Sequence, residues 1–267
     1  YKGIPETSYN VAHWNGEEYK LKLLKYDGTK PILPIQGIWA ISNNEVWLAS
    51  GSIFYWNGQN GEISYQRDIG TSDIVTKIWY NTYSDIYGVG RNGIIVHYNG
   101  STWEKLESGT TTDIRDIWGA VNSQSGRKTI LCPVSDRSHR GEYRLLTISN
   151  STVRDTLNWD LERRILSVWF NHNSPVYECG SGLRVYKDNS WNEIDIPSYI
   201  TLRVRGSAWN NIFVVGVFGL VMHYNGSTWH EYPELAFENG ELKGLFVTEN
   251  LVVATGQTGS KGIIITG

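Results

Sequence analysis

The sequence is short of the residues that usually announce an activity. Among 267 residues there are two cysteines, Cys132 and Cys179. Their spacing fits neither a zinc site nor a CxxC redox pair. Both read as small buried hydrophobes in strands, and their expected state is the free thiol. No apolar run approaches about 18 residues, so no transmembrane helix is expected. The net charge is only −3 and both signs are scattered along the chain. A nucleic-acid binder would need a basic face, so that class is excluded. Helical periodicity of 3.6 is absent. HExxH, a Ser/His/Asp grouping and a phosphate-cradling glycine loop are absent too. GVGRNGIIVHYNG contains Gly-x-Gly, but it lies between two strands with no helix after it, so it is not a dinucleotide fingerprint. No cofactor and no metal site is read.

What is abundant is aromatic. There are 12 tryptophans beside one methionine, and 40% of the residues are hydrophobic. Such a composition suits a packed core made of strands. The chain opens YKGIPETSY without Met, so the expectation is that Tyr1 is not the natural start and that a signal segment was removed or left out.

One heptapeptide organises the rest. HYNGSTW stands at 97–103 and again at 223–229. Asn-Gly is the strongest short-range hairpin signal, expected as a type I′ turn with φ > 0 at both central residues. Weaker copies are HWNGEEY at 13–19, YWNGQN at 55–60, ISNSTV at 148–153 and YKDNSW at 186–191. Anchored on Trp14, Trp56, Tyr98, Ile148, Tyr186 and Tyr224, the steps are 42, 42, 50, 38 and 38. Between the tips lies a second unit. GIWAISNNEVWLASG (37–51) returns as KIWYNTYSDIYGVG (77–90), SVWFNHNSPVYECG (167–180), RVRGSAWNNIFVVG (203–216) and LKGLFVTENLVVATG (242–256). DIWGAV with TILCPV is a version with a longer loop. Each reads strand, polar turn, strand.

Four strands per period of about 40 residues make the blade of a β-propeller. The fold class is therefore all-β, a single propeller domain over 1–267 with four-stranded antiparallel blades. Trp39, Trp79, Trp118 and Trp169 are expected as wedges between blades, with Trp103, Trp191 and Trp229 packing in the outer strands. KGIIITG (261–267) aligns with GIIVHY, so the last blade already owns a third strand. The first hairpin then lacks a strand pair upstream, which favours seven blades with an incomplete first one. Six blades is the alternative.

The segments IWG (117–119), SDIYGVG (84–90) and GIIVHYNGSTWEKLESGT (93–110) resemble secreted bacterial β-propellers of the BNR/Asp-box and photosystem-assembly-factor (YCF48-like) kind. The resemblance covers nearly the whole chain. It implies a propeller fold and a place outside the cytoplasm: extracellular, cell-surface or periplasmic. The Asp box runs S-x-D-x-G-x-x-W, whereas YNGSTW and YKDNSW are shorter and mostly lack the Asp, so no catalytic residue carries over.

Departures from the repeat are the candidate sites. Arg205 takes the inner-strand Trp position, with Arg203 two residues earlier on the same face. Two guanidiniums there either bind a carboxylate or phosphate ligand or pair with an acid of a neighbouring blade. The second departure is an insertion, VSDRSHRGEYR (134–144). Its Asp136, Arg137, His139 and Arg140 are candidate binding residues on a loop carried by a rigid scaffold. His13, His97 and His223 occupy equivalent repeat positions and read as structural. The sequons at Asn99, Asn150 and Asn225 read first as turn chemistry. Asp73, Asp113 and Asp116 lie near inner-strand starts and are the acids an enzyme would use.

The expected function is a non-catalytic extracellular scaffold whose partner is a protein or a surface glycan, without membrane insertion. A lectin-like propeller and a glycosidase- or lyase-like enzyme are the alternatives.

Overall fold

The second strand of each repeat decides the architecture. EVWLAS, DIYGVG, VYECG and NIFVVG are buried along almost their whole length. A strand with both faces covered is apolar in every position rather than alternating. The strand before it varies: GIWAIS over Gly37–Ser42 alternates half-buried and exposed residues, whereas ILSVW over Ile165–Trp169 is buried throughout. The computed structural model describes residues 9–267 except 27, 29, 33, 59–62, 64, 68, 70–72, 137–140, 157–162, 173 and 198–199. Within it the chain forms two compact units, Tyr1–Ile114 and Arg115–Gly267.

The first unit begins with a hairpin of Val11–Trp14 and Tyr19–Lys22 and a short pair of Lys25–Tyr26 and Lys30–Pro31. Blade 1 follows, with strands Gly37–Ser42, Glu45–Ser50, Ser52–Trp56 and Tyr65–Arg67. Blade 2 has Val75–Thr82, Asp85–Gly90, Ile95–Tyr98 and Trp103–Lys105. Trp47, Ala49 and Ile53 of blade 1 form one core with Ile78, Ile86 and Val96 of blade 2, with Trp39 and Trp103 packed against it.

The second unit holds four blades. Blade 3 consists of Trp118–Val121, Lys128–Ser135, Tyr143–Ser149 and Thr152–Asp155. Blade 4 consists of Ile165–Trp169, Val176–Gly180, Gly182–Lys187 and Ser190–Ile194. Blade 5 runs Thr201–Ala208, Asn211–Gly216, Val221–Tyr224 and Trp229–Glu231. Blade 6 has three strands, Glu241–Val247, Val252–Thr258 and Lys261–Thr266. Trp169, Tyr177 and Cys179 of blade 4 share a core with Val204, Ile212, Val214 and Met222 of blade 5. Trp118 packs against this core and against the one between blades 3 and 4. Trp229 packs against the same core, and Trp191 lies against Tyr186. Helical structure among the described residues is limited to two 3-10 turns, Arg91–Gly93 and Pro233–Leu235.

The protein is thus a β-propeller of antiparallel blades, and the blade number is six, not seven. Each blade is built on an inner strand pair, and six such pairs stand between Gly37 and Thr258. KGIIITG is indeed the third strand of the last blade. Among the described residues, however, the first hairpin pairs within itself, and Lys25–Tyr26 with Lys30–Pro31 forms a separate two-stranded piece. Neither contributes an inner strand pair.

A second correction concerns the heptapeptide. Tyr98 pairs with Trp103, which leaves a four-residue loop, and only Gly100 has positive φ, at 95°. The Asn99 side chain decides this. Its Oδ1 accepts from the amides of Ser101 and Thr102, both at 3.0 Å. That Asx-type capping satisfies two loop donors and leaves Asn99 itself outside the left-handed region. Asn225 does the same at 2.9 Å to Ser227 and Thr228. The true two-residue turns with both φ values positive are Asn150–Ser151 and Asp188–Asn189, in the weaker copies.

Cys132 and Cys179 are buried free thiols. Burial pushes both up, Cys179 to about 12, so neither is a nucleophile at neutral pH.

Candidate functional site

The two inner-strand arginines do meet an acid, and it is one of the chain's own. Asp116 lies two residues before the first strand of blade 3 and its side chain is 1% exposed. Arg205, from the first strand of blade 5, grips it bidentately: Nη2 to Oδ1 at 2.8 Å and Nη1 to Oδ2 at 2.9 Å. Arg203 Nη1 approaches Oδ1 at 2.7 Å. That contact is an ion pair of bent geometry rather than an aligned hydrogen bond. From blade 4, the Ser167 hydroxyl donates to Oδ2 at 2.6 Å and the Val168 amide at 3.3 Å. Arg203 Nε donates to Lys243 O in blade 6 at 3.2 Å. The Arg205 guanidinium also lies 4.6 Å above the Trp118 ring, a cation–π contact.

Four consecutive blades of the second unit are therefore tied through one carboxylate. Burial acts to raise the Asp116 pKa. The Arg203 and Arg205 charges and the donated hydrogen bonds outweigh it, and the carboxyl is held well below the usual carboxylate range. It is permanently ionised and its oxygens are occupied, so it is no general acid or base. The sequence puts Asp116 near an inner-strand start, and Arg205 at an inner-strand Trp position with Arg203 two residues earlier on the same face. Ser167 went unnoticed because a Ser at a strand start carries no distinguishing signal.

The first unit contains the inverse arrangement. His97 Nε2 lies 2.8 Å from Asp85 Oδ1 and Nδ1 lies 3.0 Å from Glu104 Oε1. Ionised carboxylates only accept, so this placement of an acid at each ring nitrogen favours the imidazolium form, with both nitrogens donating. It stacks on Tyr87 with centroids 4.2 Å apart. No nitrogen remains to take a proton from a substrate. In blade 5 the equivalent His223 stacks on Phe213 at 4.2 Å. Its Nε2 lies 3.0 Å from Asn211 Oδ1, and its cross-strand partner is His230. Burial first, and the nearby His230 second, lower its pKa.

A third buried pair is only half satisfied. Glu178 Oε1 accepts from Arg184 Nε in blade 4, while Oε2 has no partner. Burial pushes this carboxyl up to about 7 against the pull of Arg184.

The insertion is closed at its base by Arg144, which donates to Asp155 at 2.7 and 3.0 Å and to Glu142 at 2.9 Å. The Asp136 amide donates to Glu142 O at 3.1 Å. Arg137, His139 and Arg140 lie outside the described residues. Asp73 and Asp113 are engaged locally: Asp73 pairs with Lys105 at 3.6 Å, and Asp113 accepts from the Asn92 amide at 3.4 Å. Among the described residues no group of three or more His, Cys, Asp or Glu could hold a metal ion. No helix there is long and apolar enough to cross a membrane.

No protein-family model matches the chain, and no curated protein matches it. Solved structures do. A structure described as YCF48 bound to D1 peptide superposes with a TM-score of 0.68 at 16% identity, over 94% of this chain and 84% of that one. A computationally designed protein, Ika8, superposes with a TM-score of 0.60 at 15% identity, over 92% of this chain and 76% of that one. At these identities the likeness is one of fold: the chain is a β-propeller similar to YCF48.

Proposed function

We propose that this propeller is a non-catalytic binding scaffold that engages segments of partner proteins outside the cytoplasm. One observation supports this most. The candidate acid Asp116 and the candidate binding residues Arg203 and Arg205 are consumed by one another, and His97, read from the sequence as structural, is engaged by Asp85 and Glu104. What the described surface offers instead is aromatic. Tyr83, Trp209, Phe246 and Trp14 are each at least half exposed. The similar fold of YCF48 was solved with a peptide bound, which is the kind of ligand this reading assigns here. The location follows from the family resemblance alone, and fractionation of the source cells tests it.

A lectin-like role has one specific observation in its favour. Trp14 and Tyr19 are 50% and 41% exposed, with ring centroids 4.9 Å apart, a surface on which a sugar ring can stack. A native pull-down with cross-linking, run beside a glycan array, separates the two. Recovered proteins cross-linked through an extended segment support the scaffold. Array signal abolished by Trp14→Ala would replace it with the lectin.

A further inference from the structure

The turn between the second and third strands of blade 5 breaks a rule that its counterpart in blade 2 obeys. In blade 2 the residue in the left-handed region is Asn92, φ 54°, which that conformation tolerates. In blade 5 it is Phe218, φ 58°. A bulky aromatic is disfavoured there, and its ring is 46% exposed rather than tucked into a core. The backbone is held on both sides. Phe218 N–H donates to Gly240 O at 2.9 Å, and Phe237 N–H donates to Phe218 O at 3.0 Å. The facing wall is equally tied down. Tyr232 N–H donates to Val221 O at 3.0 Å, and Leu235 N–H to Tyr232 O at 3.1 Å, across the 3-10 turn Pro233–Leu235.

These walls enclose an open cleft of about 530 Å³, lined by Phe218, Leu220, Tyr232 and Phe237, with Glu231 and Glu238 also in the lining. The volume lies within the range of roughly 300–1,000 Å³ typical of ligand sites. In blade 2 the same turn is polar: Asn92 lies near Asp113 and Asp73. Among the described residues neither the Glu231 nor the Glu238 side chain has an ion pair or hydrogen bond. Lys243, nearby in sequence, is already paired with Glu241.

We propose that this cleft binds an arginine side chain displayed by an extended segment of a partner protein. The inference rests on the scaffold reading and gives it a site and a ligand chemistry. Charge complementarity selects a cation, since the lining is otherwise apolar and carries two glutamates and no basic residue. The aromatic lining selects arginine over lysine. A guanidinium is planar and weakly hydrated, stacks on aromatic faces and pairs bidentately with carboxylate, whereas an ammonium is a compact, strongly hydrated charge. The preformed walls mean that little ordering accompanies binding.

The test uses the full chain and capped pentapeptides that differ only at a central residue: arginine, lysine, citrulline or leucine. Affinity is read by calorimetry, and the location by amide shifts in a ¹⁵N spectrum. The arginine peptide should bind most tightly, with shifts confined to 217–220 and 231–240. Citrulline, which keeps the shape and drops the charge, should bind about tenfold more weakly. Phe218→Asn restores the residue type of Asn92, so the melting temperature should hold or rise while affinity falls about fivefold. Glu231→Gln with Glu238→Gln should weaken binding about tenfold and flatten its salt dependence. Equal binding of the citrulline or leucine peptide overturns the proposal, as does unchanged affinity in Phe218→Asn. Shifts mapping elsewhere on the protein overturn the cleft while leaving the scaffold reading standing. Absence of binding by every peptide overturns the cleft, and the pull-down then decides the scaffold reading separately.

Discussion

The two units solve the same problem with opposite signs. The first holds one cation, His97, between two anions, Asp85 and Glu104. The second holds one anion, Asp116, between two cations, Arg203 and Arg205. The second is drier: Asp116 is 1% exposed, whereas Glu104 is 44% exposed. The choice of ions follows from that difference. A nearly dry charge must stay paired at every working pH, and arginine never gives up its proton. A half-wet knot can use histidine, because water screens part of the cost when the ring changes charge. Glu178 with Arg184 is the unfinished version, with one carboxylate oxygen left without a partner.

The comparison breaks most visibly if the drier knot is opened. Asp116→Ala strands two guanidiniums that are 9% and 13% exposed. Removing one member of a buried ionic group costs about 3–5 kcal/mol. The expected result is a lowered urea midpoint with an unchanged m-value. A loss under about 1 kcal/mol would mean that the arginines find other partners, and the knot would be decorative.

The wetter knot should yield less. His97→Ala leaves Asp85 and Glu104 without their shared cation. Asp85 keeps the Asn81 amide at 2.8 Å, so the expected cost is about 2 kcal/mol. His223→Ala, in the same heptapeptide, removes one neutral hydrogen bond and a stack, and about 1 kcal/mol should go. Equal losses at the two sites would erase the distinction between them.

The unfinished pair should show itself through pH. The Glu178 carboxyl is raised from 4.5 to about 7 in the folded protein. The folded state therefore binds more protons than the unfolded one between those values, and stability falls as pH rises through that window. Glu178→Gln keeps the shape and cannot ionise. It should flatten this part of the stability profile, and a variant that retains the full slope would place the titration elsewhere.

These contrasts also mark what the sequence made legible. Period and fold were readable because strand and turn signals repeat six times with little variation. The blade number was misjudged because the first hairpin looks like a blade fragment locally, and only pairing reveals that it has no inner strand pair. The turn type was misjudged at Asn99 because dipeptide preference ignores the side chain, which captures two amides and lengthens the loop. Asp116 was visible only as a candidate acid. Its partners lie 87 and 89 residues away at Arg203 and Arg205, and nothing in a linear reading says which of the chain's 27 acids they choose. Phe218 was invisible, because a Phe between Val and Gly looks like strand until its φ is known.

The smallest effect is the sharpest test of how the repeat works. HYNGSTW fixes where His97 and His223 sit, but residues outside it set their charge: Asp85 and Glu104 in blade 2, Asn211 and His230 in blade 5. Writing blade 2's residues into blade 5, as Asn211→Asp with His230→Glu, should turn His223 into the imidazolium of His97. In the native protein its pKa lies below 6.5. The unfolded state then binds more protons as pH falls past 6.5, so His223 costs stability on acidification. In the double variant the pKa should rise above 6.5. The same ring then stabilises the fold at pH below 6.5, and that contribution is lost as pH rises through the new folded value. The sign of the slope therefore reverses at one residue whose own sequence is unchanged. A titration of the His223 ring proton by NMR, beside melting temperatures from about pH 5 to 8, reads both. An unmoved midpoint would show that burial against Phe213, rather than the choice of neighbours, governs the histidine of this repeat.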